Sequence, residues 1–273
     1  MTPGFFICVN FNNSHFTVKY VNSIQALEGV DDFPIQIVVV DNNSAESDFL
    51  LLKEFTKNIE NVSLIRNPEN TGYFNGLNLG LELLNVNDIL FAVIGNNDLE
   101  FDKSFLKQLI DFDKRRKENV LVIAPNIINF DGDNQNPVSI NRLSSSRRLF
   151  LNIYFLNYYV GVSTYGIIQF TKKLLKRSSK KHANKEMEIT LGYGACYVLT
   201  HDFFRFYSKL DDSTFLYGEE ALISNQIHSV NGVMTYLPDL KVNHFEHASA
   251  RNNESKANYK ITQDAYKKYR RYL

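Results

Sequence analysis

Surplus charge is the first thing this sequence lacks: 30 Lys and Arg stand against 30 Asp and Glu in 273 residues. A balanced chain offers no overall field for nucleic acid, so nucleic acid is not an expected partner and any basic surface must be local. Cysteine is scarce as well. Cys8 and Cys196 both sit in apolar runs, which predicts buried free thiols and a reducing compartment rather than a disulfide framework. The opening stretch MTPGFFICVNF has no basic segment ahead of its apolar residues and is soon interrupted by Asn, so no secretory leader is expected. A clean membrane span is missing too. The nearest candidate, residues 149–170, is uncharged, but Asn152, Asn157, Gln169 and several hydroxyls are spread through it, a heavy cost in lipid. The expected location is cytoplasmic, free or peripheral at the inner face of the plasma membrane. No internal repeat is present, and the length suits one large domain or one and a half.

What the chain does have is alternation. FFICVNF is a β-rich run, and HFTVKYVNSIQAL carries apolar residues at helical spacing. PIQIVVV is dense in Ile and Val and stopped by a polar turn. SDFLLLKEFTKNI then predicts a helix with Ser47 or Asp48 as its N-cap. A short strand, VSLIR, leads into a turn, and GYFNGLNLGLELLN continues as a helix whose glycines allow close approach to a neighbour. DILFAVIG is another strand, and SFLKQLIDFDKRRKE an amphipathic helix. Strands apolar on both faces and separated by helices predict a parallel sheet covered on each side.

In such a sheet ligands bind beyond the carboxyl ends of the strands. The polar exits fall at residues 10–12, 41–43, 67–70 and 96–98, and the pattern gathers all four along one edge. The last of them, in FAVIGNNDLEF, spends Asn96, Asn97 and Asp98 on leaving a buried strand. Such residues suit a sharp turn, because they bond their own main chain, and they suit a ligand equally. Beyond VLVIAPNII the regularity breaks into a loop rich in Asn, Ser, Gly and Asp. Order returns with EITLGYGACYVLT, read as a strand pair or a strand and turn, then HDFFRFYSKL as a helix. A further helix starts near Gly218, VMTYLPDLKVNHFEHAS supplies strands, and the Lys- and Tyr-rich end forms a surface helix.

The stretches ICVNFNN, IVVVDNNS, NPENTGYFNGLNLGL, GNNDLEF, GYGACYVL, FLYGEE and VNHFEHAS, in this order, resemble the family 2 glycosyltransferases and their rhamnosyltransferase-like branch. The resemblance implies an A-type fold with a Rossmann-like, mostly parallel central sheet. It implies an inverting hexosyl- or deoxyhexosyltransferase that moves a sugar from a UDP- or dTDP-sugar to a growing surface glycan, such as capsule or lipopolysaccharide. Asp41 corresponds to the acid that accepts the base's imide proton, with Asn10 and Asn43 closing around the same base. The other reading of Asp41 is a turn or cap. Asn70 and Gly72 fall beside the diphosphate. NND takes the place of the family's paired acids, which gives Asn96 the ribose and Asp98 a divalent cation, Mg²⁺ or Mn²⁺, a hard ion that takes oxygen ligands. His244 matches a histidine near that metal or the diphosphate; its other reading is a structural His following a strand. Glu219 and Glu220 match the acidic pair beside the acceptor, with Glu220 as the base an inverting transfer needs. Their other reading is two acids favouring a helix N-terminus. Leu222 and Gln226 stand where relatives carry an acid and an Arg, and Asn96 replaces an acid; these departures point to a second possibility, a non-catalytic nucleotide-sugar-binding or assembly subunit. A sugar nucleotidyltransferase is the third, although NFNNSHF is not its phosphate loop.

The resemblance divides the chain into a nucleotide-sugar half (residues 1–129), an insertion (130–185), an acceptor half (186–250) and a C-terminal helix or tail (251–273). No acid occurs between residues 134 and 185, where Arg142, Arg147, Arg148, Lys172, Lys173, Lys176, Arg177, Lys180 and Lys181 flank the uncharged centre. That composition suits a membrane surface presenting a lipid-linked acceptor. It suits equally two helices packed on the core or on a second subunit of a homo-oligomer.

Overall fold

The computed structural model describes residues 3–85, 88–164, 184–245 and 256–272. Its strands are β1 (Gly4–Asn10), β2 (Ile35–Asp41), β3 (Val62–Arg66), β4 (Phe91–Asn96), β5 (Leu99–Phe101), β6 (Val120–Asn129), β7 (Met187–Ile189), β8 (Cys196–Thr200) and β9 (Val233–His244). They form one sheet in the order β3-β2-β1-β4-β8-β6-β9-β5, with β7 beside β9. The first four strands are mutually parallel, as their two-sided apolar character predicts. The rest of the sheet is mixed: β8 runs antiparallel to both of its neighbours, while β6 and β9 are parallel.

Alternation along the strands explains the layering. Phe6 and Cys8 of β1 and Ile37 and Val39 of β2 point into a core shared with helices α1 (Ser14–Gln25), α2 (Glu46–Thr56) and α4 (Phe105–Asp113). Ile7, Val38 and Val40 point the other way, against α3 (Tyr73–Leu81) and the helix Glu219–Ser229. Each fully buried Val or Ile of this kind stabilises the fold by about 1.5–3 kcal/mol. A Cβ at Gly80 would lie 2.4 Å from Ile7 Cγ2, so glycine is what lets α3 settle on β1. Both cysteines are free and buried, and burial pushes their thiols far above the usual range.

Three local expectations change. The second helix starts at Glu46 with Ala45 as N-cap, because Asp48 is engaged elsewhere: its Oδ1 accepts from Ser14 N at 3.0 Å. HDFFRFYSKL yields only the short helix His201–Phe204. The stretch from Val233 forms one long strand, and its pairing with β6 shifts register between Pro125 and Asn126. Among the described residues no helix is long and apolar enough to cross a membrane.

Candidate active site

Parallel register brings the exits together. Asn10 pairs with Asp41, Val9 with Asn96, and Asp41 with Arg66, so the polar ends of β1 to β4 share one edge. Above this edge lies a cavity of about 710 Å³. Of the residues expected in the site, Asn70, Gly72, Asn96, Asp98, Glu219, Glu220 and His244 line it, together with Asn42, Asn97, Tyr73 and the 193–195 and 215–217 segments.

Asn10, Asp41 and Asn43 do not line the cavity. Asn10 and Asp41 are completely buried beneath it in a polar lattice. Asn10 Nδ2 lies 2.9 Å from Asp41 Oδ1, 3.0 Å from Ser44 Oγ and 2.9 Å from Asp48 Oδ2. Its Oδ1 accepts from Thr17 and from Asn97 Nδ2. Ser44 N donates to the second oxygen of Asp41 at 3.2 Å. The Asp41 carboxylate therefore spends both oxygens on protein. Asn43 is an exposed left-handed turn residue, with φ 66°, a conformation Asn tolerates better than most.

Asn42 is a hub the sequence reading left out of the site. Its Nδ2 donates to Asn70 Oδ1 at 2.9 Å and to Gly72 O at 3.1 Å, and its Oδ1 accepts from Asn67 Nδ2 at 2.9 Å. Asn70 Oδ1 also accepts from Gly72 N. The turn that starts α3 is thus fixed to the β2 exit, and Tyr73 N completes it by donating to Phe215 O at 3.0 Å. Asn97, also left out, donates to Asn10, Thr17 Oγ1 and the Asn13 carbonyl. A run of amides at strand exits was the available signal for both. Gln135, in the irregular loop, carried none.

Asp98 and His244 face each other across the cavity floor, with Asp98 Oδ1 3.3 Å from His244 Nε2. His244 Nδ1 sits 2.8 Å from Gln135 Oε1. If Nδ1 donates there, the lone pair of Nε2 points toward Asp98 and toward Asn96 Nδ2 at 3.4 Å. An outer partner that fixes the ring in this way is common for histidines that bind metals. Two ligands about 2.1 Å from one cation and adjacent in its shell stand ~3 Å apart, so this pair fits a single divalent ion. Among the described residues no group of three or more His, Cys, Asp or Glu could hold a metal, so such an ion would need its other ligands from substrate and water.

The acidic pair sits on the opposite wall, at the start of the helix Glu219–Ser229. Gly218, with φ 91°, caps that helix, and a Cβ there would meet the Tyr269 ring at 2.2 Å. Glu219 Oε1 accepts from Tyr217 N at 2.9 Å, and Glu220 Oε1 from Gly194 N at 3.1 Å. Burial, and then the neighbouring Glu220, push the Glu219 carboxyl up to about 7. Burial also raises Glu220, against the pull of the Gly194 amide. Desolvation wins over the favourable helix end at this position. A carboxylate held upward in this way is suited to taking a proton near neutral pH.

A mixed α/β sheet with helices on both faces and an acid-lined cavity over its strand exits defines the A-type glycosyltransferase fold. The chain belongs to glycosyl transferase family 2, whose model matches residues 6–180. No curated protein matches it. Solved structures that share the fold include the following two. GalNAc-T7 with UDP, GalNAc and Mn²⁺ aligns with a TM-score of 0.64 at 16% identity, over 98% of this chain and 48% of that one. S. aureus TarS 1-349 aligns with a TM-score of 0.55 at 14% identity, over 89% of this chain and 60% of that one. The chain thus spans about half the length of the first and three fifths of the second.

Proposed function

We propose that the chain is an inverting glycosyltransferase, moving a hexosyl or deoxyhexosyl group from a UDP- or dTDP-sugar to a hydroxyl of a growing surface glycan. The observation that carries this reading is the convergence of two acidic centres on one cavity: Asp98 with His244 on the floor, and Glu219 with Glu220 on the wall. Asp98 and His244 would hold Mg²⁺ or Mn²⁺, which when bound offsets the charge of a leaving diphosphate. The Mn²⁺ and UDP named with GalNAc-T7 support that choice of ion and donor. Asn70 and Gly72 fix the turn that starts α3 and would set that helix N-terminus beside the diphosphate, where its dipole favours an anion. Asn96 would meet the ribose. Glu220, one oxygen held by Gly194 N–H, would take the acceptor proton as its oxygen attacks the anomeric carbon and the nucleoside diphosphate leaves. Glu219 would orient that acceptor. Base recognition by Asp41 requires Asn10 or Ser44 to release a carboxylate oxygen, with Asn10 and Asn43 then closing on the base. On this reading residues 1–129 bind the donor and 186–250 the acceptor, while 130–185 is an insertion for contact with acceptor, membrane surface or another subunit and 251–273 is a C-terminal helix or tail.

A non-catalytic nucleotide-sugar-binding subunit is the second reading, favoured by two positions. Leu222 is buried in the core. Gln226 accepts from Asp211 N at 2.9 Å and donates to Lys209 O at 3.0 Å, so both have purely structural contacts. Donor turnover separates the two. The enzyme should release UDP or dTDP from a panel of nucleotide sugars when Mn²⁺ is added, faster with an acceptor present. Metal-dependent nucleotide binding without turnover of any donor would instead establish the binding subunit.

A further inference from the structure

The surface formed by residues 142–164 and the helix Lys256–Tyr269 is asymmetric in a way the active site does not use. The two segments pack together on one side. Phe155 stacks on Tyr266 with ring centroids 4.4 Å apart, Tyr259 Oη donates to Tyr154 O at 2.7 Å, and Tyr266 Oη donates to Asn152 Oδ1 at 2.8 Å. Asn157 Oδ1 accepts from Val160 N at 3.1 Å, capping the helical run 158–164. Both asparagines that weighed against a lipid-facing segment therefore have protein partners. The first of these segments also leaves apolar side chains in solvent: Leu149 is 61% exposed, Leu156 65% and Tyr159 74%, with Ile153 and Val162 also exposed. Five large apolar side chains exposed within fourteen residues make a patch rather than ordinary scatter.

Charge identifies what the patch fits. Residues 142–164 and 256–272 hold nine Lys and Arg against a single acid, Asp264, in a chain whose overall charge is zero. This layer is thus strongly cationic, and the compensating negative charge lies elsewhere on the molecule. A second copy would bring like charge against like, and an aqueous polyanion would have no use for the leucines. An anionic bilayer surface satisfies both: apolar side chains enter the headgroup boundary while Lys and Arg meet acidic lipid. Tyr159, with an apolar ring and a polar tip, suits that boundary as well.

We propose that this layer docks the protein on an anionic lipid surface, with Leu149, Ile153, Leu156, Tyr159 and Val162 inserted. The proposal needs no assumption about the reaction. Lys172, Lys173, Lys176, Arg177, Lys180 and Lys181 lie outside the described residues and are not part of the site.

The test is co-sedimentation of the full chain with vesicles of phosphatidylcholine alone and of phosphatidylcholine mixed with phosphatidylglycerol, at low and moderate salt. Binding should need the anionic lipid and weaken with salt. Both the Leu149→Ser/Leu156→Ser pair and the Arg147→Gln/Arg271→Gln pair should lower partitioning roughly tenfold. All four side chains are on the outer layer, and thermal midpoints matching wild type show that the variants fold. Two variant pairs keep the test open should one of them misfold. No binding to anionic vesicles at low salt overturns the proposal. So does binding that the leucine pair leaves unchanged, which would mean charge alone. A lipid-free dimer in sedimentation velocity that the leucine pair dissolves also overturns it, since a second copy would then cover the face.

Discussion

The two halves of the sheet treat polar groups in opposite ways. At the exits of β1 to β3 the side chains are spent on one another: Asn10, Asp41, Ser44 and Asp48 close one lattice, and Asn42, Asn67 and Asn70 another. Around β9 and the helix Glu219–Ser229 the acids keep an oxygen toward the cavity and carry the cost of burial as raised affinity for protons. Buried groups with a full set of partners stabilise a fold, while buried acids that repel one another are poised for proton transfer. On that contrast, substitutions on the lattice should act on stability, and those facing the cavity on turnover.

The sharpest break would come from Asp98→Ala and Glu220→Gln. Each should lower donor turnover by ~100-fold or more with little change in thermal midpoint. They should differ in binding, since only Asp98→Ala loses Mn²⁺-dependent stabilisation by UDP. If Glu219→Gln is the inactive variant and Glu220→Gln turns over, the two acids exchange roles. Next in size is Asn10→Ala, which takes one donor from each of Asp41 and Asp48 and leaves one oxygen of each without it. It should destabilise the protein by about 2–4 kcal/mol in urea unfolding, read before any effect on turnover. Retention of wild-type stability would dissolve the comparison.

Glu219 gives a pH-dependent test. Its folded pKa, about 7, lies above its ordinary 4.5, so the stability it confers is fully present below the unfolded value. That stability is lost as pH rises through the folded value, by up to ~3 kcal/mol. Glu219→Gln should remove this slope and leave the protein more stable than wild type above about pH 8. A wild type with no such slope between about pH 5 and 8 would show that the acid is better solvated than its position implies. The smallest effect is expected of Asn96→Asp, which adds a carboxylate beside His244 and should tighten Mn²⁺–UDP only a few-fold in a thermal-shift titration. Tightening by orders of magnitude would mean that Asn96 already sits in the ion's own shell.

Much of this was open to reading along the chain. The β-branched runs and helical spacings fix the parallel half, because a strand buried on both faces must be apolar throughout, and its exits are then the first polar residues. GNNDLEF and FLYGEE named the cavity acids by type and order. The roles at the exits were a different matter. Asp41 and Asp98 leave neighbouring parts of the same sheet, both as an acid among asparagines. Only folding shows that Asn10 and Ser44 take up the first, while the second faces His244 from a strand 148 residues beyond Asn96. The antiparallel insertion of β8 between β4 and β6 was equally beyond reach, since strand direction depends on where the chain returns and not on local composition. The sequence by itself determined which residues are apolar, which are acids and where the strands end. The tertiary structure decided which polar groups satisfy one another, because hydrogen bonding and desolvation depend on partners far apart in the chain.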